Sequence, residues 1–326
     1  MNPQYVNWLG LDVAKETMEG ALILKDNIIK MISLPRTQEG ADALIAWAKA
    51  FSNNEPIRVV MEATGRYSVE LAEWIDVFRP AIVNPELIAA FGRSLGLRNK
   101  TDAIDARLIA RYGLERNPCP REPLSEGHLY LRECVRARQD LITMRTAQKN
   151  RLSESPCSAP KVIAAYEAVL GTLEEEIDRL EEEMHRFAIE HQELRNDLEL
   201  MTSIPGVGLK TALVLLGELG NLRRFPTGRA LAAFAGLSPQ LCQSGTSVHK
   251  RTRICKKGNP LVRSCLYMAS ICAARGGHAY TETYKRLVKN GKAKRQALCA
   301  VARKTLLLCR ALLIQNKPYE AQYAVG

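Results

Sequence analysis

Apolar and polar positions over the first 95 residues follow strand-like and helix-like spacing in turn. Continuous apolar runs at 5–13, 18–24 and 28–33 predict three buried strands, with Lys25-Asp26-Asn27 as a hairpin turn between the last two. Further along, the pattern predicts helices at 38–52, 67–77 and 85–93 and strands at 57–61 and 81–83. A hairpin of strands followed by alternating strands and helices is typical of a mixed α/β layer.

The middle of the chain has a different period. Helical spacing over 126–151 ends at the Pro-interrupted stretch 153–160, and a second long helix follows. Its apolar residues alternate at intervals of four and three, as in a heptad seam: Tyr166, Leu170, Leu173, Ile177, Leu180, Met184 and Phe187. The seam predicts either a helical hairpin within one chain or a coiled coil between chains, and we favour the assembly role.

Residues 203–326 are rich in Ala, Leu and Arg and are predicted to be mostly helical, with helices near 209–219, 227–236, 259–275, 279–289 and 293–315. The predicted organisation is therefore an α/β domain at 1–125, long helices or a coiled coil at 126–202, and a helical domain at 203–326. No apolar run reaches the ~18–20 residues that a membrane-spanning helix needs. Without an export signal, and with nine unpaired-looking cysteines, the chain is expected to be cytoplasmic.

Charge separates these segments sharply. Residues 1–125 contain 15 basic and 16 acidic side chains, residues 126–203 contain 10 and 16, and residues 204–326 contain 21 and 3; their nets of −1, −6 and +18 give the total of +11. A surface with seven cations for each anion is typical of a protein that binds nucleic acid phosphates. A plain solubility surface would mix both signs more evenly.

Four acids form the first candidate site. Asp12 and Glu62 each end a predicted buried strand, and Asp102 and Asp105 lie three residues apart at a predicted helix start. Carboxylates around one point repel one another unless hard cations such as Mg²⁺ bridge them, and two such ions polarise a scissile phosphate. Taken singly, each acid also suits a structural role, such as a helix cap or a turn residue. Their order along the chain fits a ribonuclease-H-like layer.

Two further motifs lie in the basic segment. Gly206 and Gly208 precede a predicted helix, so their backbone N–H groups and Lys210 suit a phosphate, as in helix-hairpin-helix DNA binders. Ser244 stands beside Gly245 and could attack a phosphodiester. Cations that would orient the phosphate surround this serine: Lys250, Arg251, Arg253, Lys256 and Lys257. An ordinary tight turn and a polar loop are the plainer alternatives.

The ordered set of motifs resembles the DEDD-type insertion-sequence transposases of family one-ten, relatives of the Piv invertases. The likeness covers nearly the whole chain and rests on six short stretches: Gly10-Leu11-Asp12-Val13-Ala14-Lys15, Glu62-Ala63-Thr64-Gly65, Asn99 to Arg107, Ile204-Pro205-Gly206-Val207-Gly208, Phe234 to Pro239, and Ser244-Gly245-Thr246-Ser247.

The resemblance implies a RuvC-like N-terminal domain of ribonuclease-H fold, a coiled-coil middle and a mostly helical C-terminal transposase domain. It implies that Asp12, Glu62, Asp102 and Asp105 bind Mg²⁺ and that Ser244 is a nucleophile forming a phosphoserine link. It further implies donor and target DNA and a non-coding bridge RNA as partners, a dimer or tetramer, and no membrane partner.

Two rival functions remain open at this point. A RuvC-like nuclease would use the same acids with water as the nucleophile, and a non-enzymatic DNA-binding protein would not depend on the acids. An actin-like ATPase is disfavoured because the chain has no second glycine-rich phosphate loop.

Overall fold

A computed structural model describes residues 7–96, 102–154, 159–244, 248–254, 258–275 and 280–320. The chain divides into two compact units, Met1–Pro123 and Leu124–Gly326, each with its own core. In the described ranges, no helix is both long and apolar enough to span a bilayer.

Five strands of the first unit form one sheet. They are β1 (Asn7–Val13), β2 (Thr17–Ile23), β3 (Ile29–Pro35), β4 (Ile57–Glu62) and β5 (Ala81–Val83), in the spatial order β3-β2-β1-β4-β5. The first three are antiparallel neighbours, whereas β4 is parallel to β1 and β5 is parallel to β4. This mixed order is the ribonuclease-H-like arrangement that the sequence pattern favours.

Helices cover both faces of this sheet: α1 (Gln38–Phe51), α2 (Arg66–Trp74), α3 (Pro85–Ser94) and α4 (Asp102–Arg116). Odd positions of β1, including Leu9 and Leu11, share a core with Leu44 of α1 and Leu71 of α2. The even position Trp8 lies on the opposite face, in a core with Ile109 of α4. Because side chains alternate along a strand, the α4 face carries the even residues of β1.

The second unit is mainly helical. Its helices are α5 (Glu126–Glu154), α6 (Pro160–Glu190), α7 (Gln192–Thr202), α8 (Leu209–Leu219), α9 (Gly228–Phe234), α10 (Pro260–Ala273), α11 (Thr281–Lys289) and α12 (Lys294–Gln315). A break at His191 separates two of these helices, since α6 ends at Glu190 and α7 begins at Gln192.

The heptad seam of α6 packs against α5 of the same chain. Leu170, Ile177 and Met184 are buried along it. Ion pairs connect the two helices, with Arg138 to Glu181 at 2.5 Å and Lys149 to Glu174 at 2.7 Å. The seam therefore forms a helical hairpin within the chain, which is the alternative that the sequence analysis disfavoured.

A two-stranded element interrupts the predicted run of C-terminal helices. β6 (Pro239–Ser244) and β7 (Val248–Ile254) pair antiparallel, with an irregularity between Gln240 and Cys242. No strand was predicted for this stretch, because its many polar residues and its glycine obscure the strand pattern.

Candidate functional site

Asp12 and Glu62 lie side by side on adjacent parallel strands. The β1–β4 register aligns Leu11 with Met61, so Asp12 and Glu62 follow at the next step. Gly10 of β1 and Val60 of β4 lie on the face of the sheet that α4 covers. Asp12 and Glu62 are each two residues further along the same strands, so they lie on that face as well. Each is half-buried and makes interactions within the protein.

The turn after Glu62 is held by local hydrogen bonds. Ala63 N–H donates to Val83 O at 2.9 Å, and Thr64 N–H donates to the Ser68 hydroxyl at 3.1 Å. That hydroxyl donates in turn to Gly65 O at 3.1 Å, and Gly65 has a φ of 70°. Glycine adopts this left-handed backbone at little cost, so the chain can leave the strand directly after the acid.

Helix α4 crosses β1 in direct backbone contact. A Cβ added to Gly10 would lie 2.5 Å from Ala106 O and 2.6 Å from Ala110 Cα, so only glycine permits this approach. Further along α4, a Cβ on Gly113 would lie 2.7 Å from Val60 and would also meet Trp8. Since Gly113 meets residue 8 and Ala106 meets residue 10, α4 runs antiparallel to β1.

This antiparallel crossing points the start of α4 toward the acid pair. Two strand residues advance about 7 Å, which is close to the rise of about five helix residues. The step from Gly10 to Asp12 therefore corresponds to moving from about residue 108 to about residue 103 of α4. Asp102 and Asp105 flank that position, and Asp105 precedes the sheet-facing, fully buried Ala106. The course of the backbone thus directs the start of α4 toward the end of the sheet where Asp12 and Glu62 lie.

The donor chemistry of this edge fits a hard divalent cation, because carboxylate oxygens are the ligands that such ions prefer. Asp102 begins α4, but its side chain lies outside the described part of the structure. Among the side chains that are described, no group of three or more His, Cys, Asp or Glu residues is arranged to hold a metal ion. The ligand assignment is therefore taken up below as a proposal.

The sequence analysis missed one acid at this edge. Glu19 pairs directly with Asp12 across the β1–β2 ladder and accepts a hydrogen bond from the Ser33 hydroxyl at 2.5 Å. Antiparallel partners share a face, so Glu19 lies on the same side of the sheet as Asp12. The register between β1 and β2 would reveal Glu19, but that pairing was not predicted, and the resemblance contains no motif at this position.

The two glycines of the second motif have different surroundings. Gly206 has a φ of 97°, and an added Cβ would lie 2.9 Å from Ala273 N and 3.0 Å from Ala269 O on α10. Gly208 precedes α8, and a Cβ there would meet nothing within 4 Å. Gly206 is therefore required by helix packing, whereas Gly208 leaves open space in front of α8.

Lys210 is exposed but is paired with an acid. Its Nζ lies 2.6 Å from Glu181 Oε2, and Arg138 approaches the other carboxylate oxygen of the same residue. Burial raises the pKa of Glu181, but the hydrogen bonds from Lys210 and Arg138 outweigh burial and hold that pKa below its usual range. Part of the Lys210 charge is thus compensated within the protein.

Ser244 is the last residue of β6 and pairs with Val248 across the hairpin. The backbone of β7 includes Lys250, which aligns with Cys242, together with Arg251 and Arg253. Lys256 and Lys257 lie outside the described residues. The serine thus stands at the closed end of a hairpin whose second strand has three cations.

A ribonuclease-H-like sheet with acids at the ends of two adjacent strands, together with a second unit rich in cations, is typical of enzymes that act on nucleic acid. Comparison with known proteins gives the family. Residues 9–155 match a DEDD transposase model of the IS110 type, and residues 198–286 match the transposase IS116/IS110/IS902 family.

Relatives extend the match over nearly the full chain. The pilin gene-inverting proteins of Moraxella bovis and Moraxella lacunata are each 32% identical over 322 residues, which is 96% of this chain and 97% of each relative. An uncharacterized 43.6 kDa protein of insertion element IS110 from Streptomyces coelicolor is 34% identical over 127 residues, 39% of this chain and 31% of that protein. The chain belongs to the IS110 family of transposases and DNA invertases. It is therefore an enzyme that recombines DNA, and the family implies a divalent metal cation.

Proposed function

We propose that this chain is an RNA-guided DNA recombinase of an insertion sequence that cuts and rejoins strands through a phosphoserine intermediate. In this proposal Asp12, Glu62, Asp102 and Asp105 hold Mg²⁺ and Ser244 is the nucleophile. The observation that supports it best is the crossing of α4 over β1 at Gly10, because this crossing directs the start of α4, where Asp102 and Asp105 lie, toward the strand ends at Asp12 and Glu62.

The acids have a defined role in this scheme. Bound Mg²⁺ would polarise the scissile phosphate and offset the charge that develops there. The protein contributes fixed carboxylates on a rigid sheet and helix, so the ligands do not need to reorganise during the reaction. Glu19 and Ser33 occupy the next positions across the sheet and limit how far the Asp12 strand can shift.

Ser244 provides the covalent step. Its hydroxyl oxygen forms an ester bond to phosphorus and loses its proton, while the bond from phosphorus to the leaving sugar oxygen breaks and that oxygen becomes a hydroxyl. Attack by a sugar hydroxyl of another strand reverses these changes and frees the serine. The cations of β7, together with Lys256 and Lys257, would orient the phosphate. The serine–phosphate ester replaces the broken phosphodiester bond at similar energy, so no external energy source is needed to rejoin the strands.

The charge distribution supports a nucleic acid partner that is read mainly through its backbone. The +18 segment has many cations and the chain has only 6% aromatic residues, which suits phosphate contacts better than base stacking. A bridge RNA that pairs with donor and target DNA would then supply sequence recognition, with the protein binding the backbones. Bringing two DNA molecules together requires at least two copies of the chain, so the proposal includes a dimer or tetramer. It also includes a location in the cytoplasm.

Strand exchange by single-residue variants tests this proposal. Asp102→Ala and Ser244→Ala should each abolish exchange between donor and target DNA in the presence of Mg²⁺ and RNA from the flanking element. Circular dichroism and nucleic acid affinity should stay close to those of the wild type. Exchange that persists in either variant removes that residue from the mechanism. Metal-dependent nicking that is indifferent to Ser244 would favour the hydrolytic nuclease instead.

A further inference from the structure

The strongest unassigned feature is an acid that the C-terminal segment buries. Residues 204–326 contain only three acids against 21 cations. Glu218, near the end of α8, is 3% exposed, whereas Glu282 is exposed on α11. Burying a carboxylate is costly unless it is fully paired, so such a rare acid in a core position calls for partners of matching strength.

Glu218 has three hydrogen bonds on its carboxylate. Arg136 of α5 donates from Nε to Oε1 at 2.8 Å and from Nη2 to Oε2 at 3.1 Å. Asn259 donates from Nδ2 to Oε2 at 2.6 Å. The hydrogen bond to Glu218 raises the pKa of Arg136, so the guanidinium stays protonated.

The surrounding backbone fixes α8 on α5 at the same point. Arg132 of α5 donates to the carbonyls of Gly217 and Glu218, at 3.1 Å each. A Cβ on Gly217 would lie 3.1 Å from the backbone of Leu131 and Arg132, so the two helices are in close contact there. Glu218 is therefore held against the long helix from both its side chain and its backbone.

Asn259 connects this anchor to the serine hairpin. Its side-chain oxygen accepts from the N–H groups of Leu261 and Val262 and caps α10, while its amide donates to Glu218. Asn259 follows the end of β7, Ile254, by five residues. Asn259, and with it the start of α10, is thus fixed by its contact with Glu218.

The strand that enters the hairpin is fixed at the same place. A Cβ on Gly236, three residues before β6, would lie 2.7 Å from Gly258 N and 2.7 Å from Arg263 Nη1. Arg263 Nη1 in turn donates to Gly258 O at 2.5 Å. The chain that leads into β6 therefore contacts Gly258, the residue directly before Asn259, which Glu218 holds.

We infer that Glu218 is a positioning residue for Ser244: with Arg136 and Asn259 it fixes the base of the β6–β7 hairpin and so the place of the serine at its tip. This inference rests on the proposed role of Ser244. From Pro239 to Ser244 the strand extends ~17 Å. A rotation of about 3–4° at the base therefore moves the tip by ~1 Å, a displacement that costs ~100-fold in rate when a reacting group is misplaced.

Two variants break the anchor in different ways. Glu218→Gln keeps the shape but replaces one acceptor oxygen with a donor, which must then face Arg136 or Asn259. Asn259→Asp keeps the acceptor that caps α10 but sets a carboxylate against Glu218. The matched control is Asp197→Asn. Asp197 is also buried, at 1% exposed, and accepts two hydrogen bonds from Arg223, at 2.8 Å each. Arg223 in turn donates to Leu313 O of α12.

The first readout is hydrogen exchange of the backbone amides in 239–254, measured by mass spectrometry on the full chain. We expect Glu218→Gln and Asn259→Asp to raise exchange there by at least about tenfold, and Asp197→Asn to leave it unchanged at a similar loss of thermal stability. Unchanged exchange in both hairpin variants would overturn the inference. If Glu218→Gln does not fold, Asn259→Asp decides the result.

The second readout is the rate of strand cleavage at saturating DNA, together with DNA affinity. We expect Glu218→Gln and Asn259→Asp to cleave DNA ~10–100-fold more slowly than the wild type, with DNA affinity within about twofold of the wild-type value. Equal slowing by Asp197→Asn would show that Glu218 acts only through stability. If Ser244→Ala still exchanges DNA strands, the proposed function fails. The hydrogen exchange of the backbone amides in 239–254 would still test whether Glu218 positions the hairpin.

Discussion

Replacing Gly10 with alanine should damage the acid-lined edge without altering any acid. The added methyl group would lie 2.5 Å from Ala106 O and 2.6 Å from Ala110 Cα, where van der Waals contact normally begins at about 3.5 Å. Helix α4 would have to withdraw from β1 by about 1 Å. Overpacking of this kind costs about 1–3 kcal/mol, and the opposing atoms here are backbone and cannot turn aside.

The same displacement should impair catalysis, because Asp102 and Asp105 move with the first turn of α4. A misplacement of about 1 Å corresponds to ~100-fold in rate. The matched control is Gly20→Ala in the neighbouring strand. A Cβ there would meet side chains rather than backbone, with Ile32 Cγ2 first at 2.9 Å, so we expect a smaller loss of stability than for Gly10→Ala and near-normal activity.

The assay combines urea unfolding with metal-dependent DNA cleavage. All three tryptophans, Trp8, Trp47 and Trp74, lie in the first unit, so their fluorescence reports unfolding of that unit. Gly10→Ala should lower the urea midpoint and the cleavage rate together, while Gly20→Ala changes both little. A Gly10→Ala protein with the urea midpoint and cleavage rate of the wild type would refute the close backbone contact between α4 and β1.

Three further outcomes follow from the second unit. Gly206→Ala should lower the free energy of unfolding by about 2 kcal/mol or more, because it combines a positive φ with a clash, whereas Gly208→Ala should change it by less than about 0.5 kcal/mol in chemical denaturation. Burial lowers the pKa of His128 in the folded protein, so below about pH 6.5 the unfolded chain binds a proton that the folded chain does not. Thermal stability should therefore drop between pH 7 and pH 5, and His128→Asn should weaken this pH dependence. Because Lys210 is paired with Glu181, Lys210→Gln should reduce the slope of log affinity against log salt by well under 0.9, and a reduction of about 0.9 would show a full phosphate contact instead.

Local patterns in the sequence predicted elements of both units, although the strand expected to be buried at 28–33 is half-buried or exposed along its whole length. Buried strands have continuous apolar runs and the helices have clear 3.6-residue spacing, so β5 at 81–83 and α8 at 209–219 match their predicted bounds. The acids could be found because strand ends and helix starts are visible in one dimension. Their convergence depends on Gly10 and Gly113, whose close contacts with α4 and β1 arise only in three dimensions.

Long-range pairing explains what the sequence left open. A heptad seam is equally apolar whether its partner is the same chain or another, and only the packing of α6 on α5 distinguishes the two. The β6–β7 hairpin was missed because its strands are polar and lack an apolar alternation. Glu218 and Asn259 are 41 residues apart, and neither has a local motif that announces the contact.

A denaturing gel for a covalent protein–DNA adduct tests the central claim most directly. The full chain would be mixed with Mg²⁺, labelled donor and target DNA, and RNA from the flanking element, alongside Ser244→Ala and Asp105→Ala. We predict an adduct with the wild type that is lost in both variants and when the RNA is left out. Metal-dependent nicks without any adduct, unchanged in Ser244→Ala, would contradict the account and leave the acids as the whole of the chemistry.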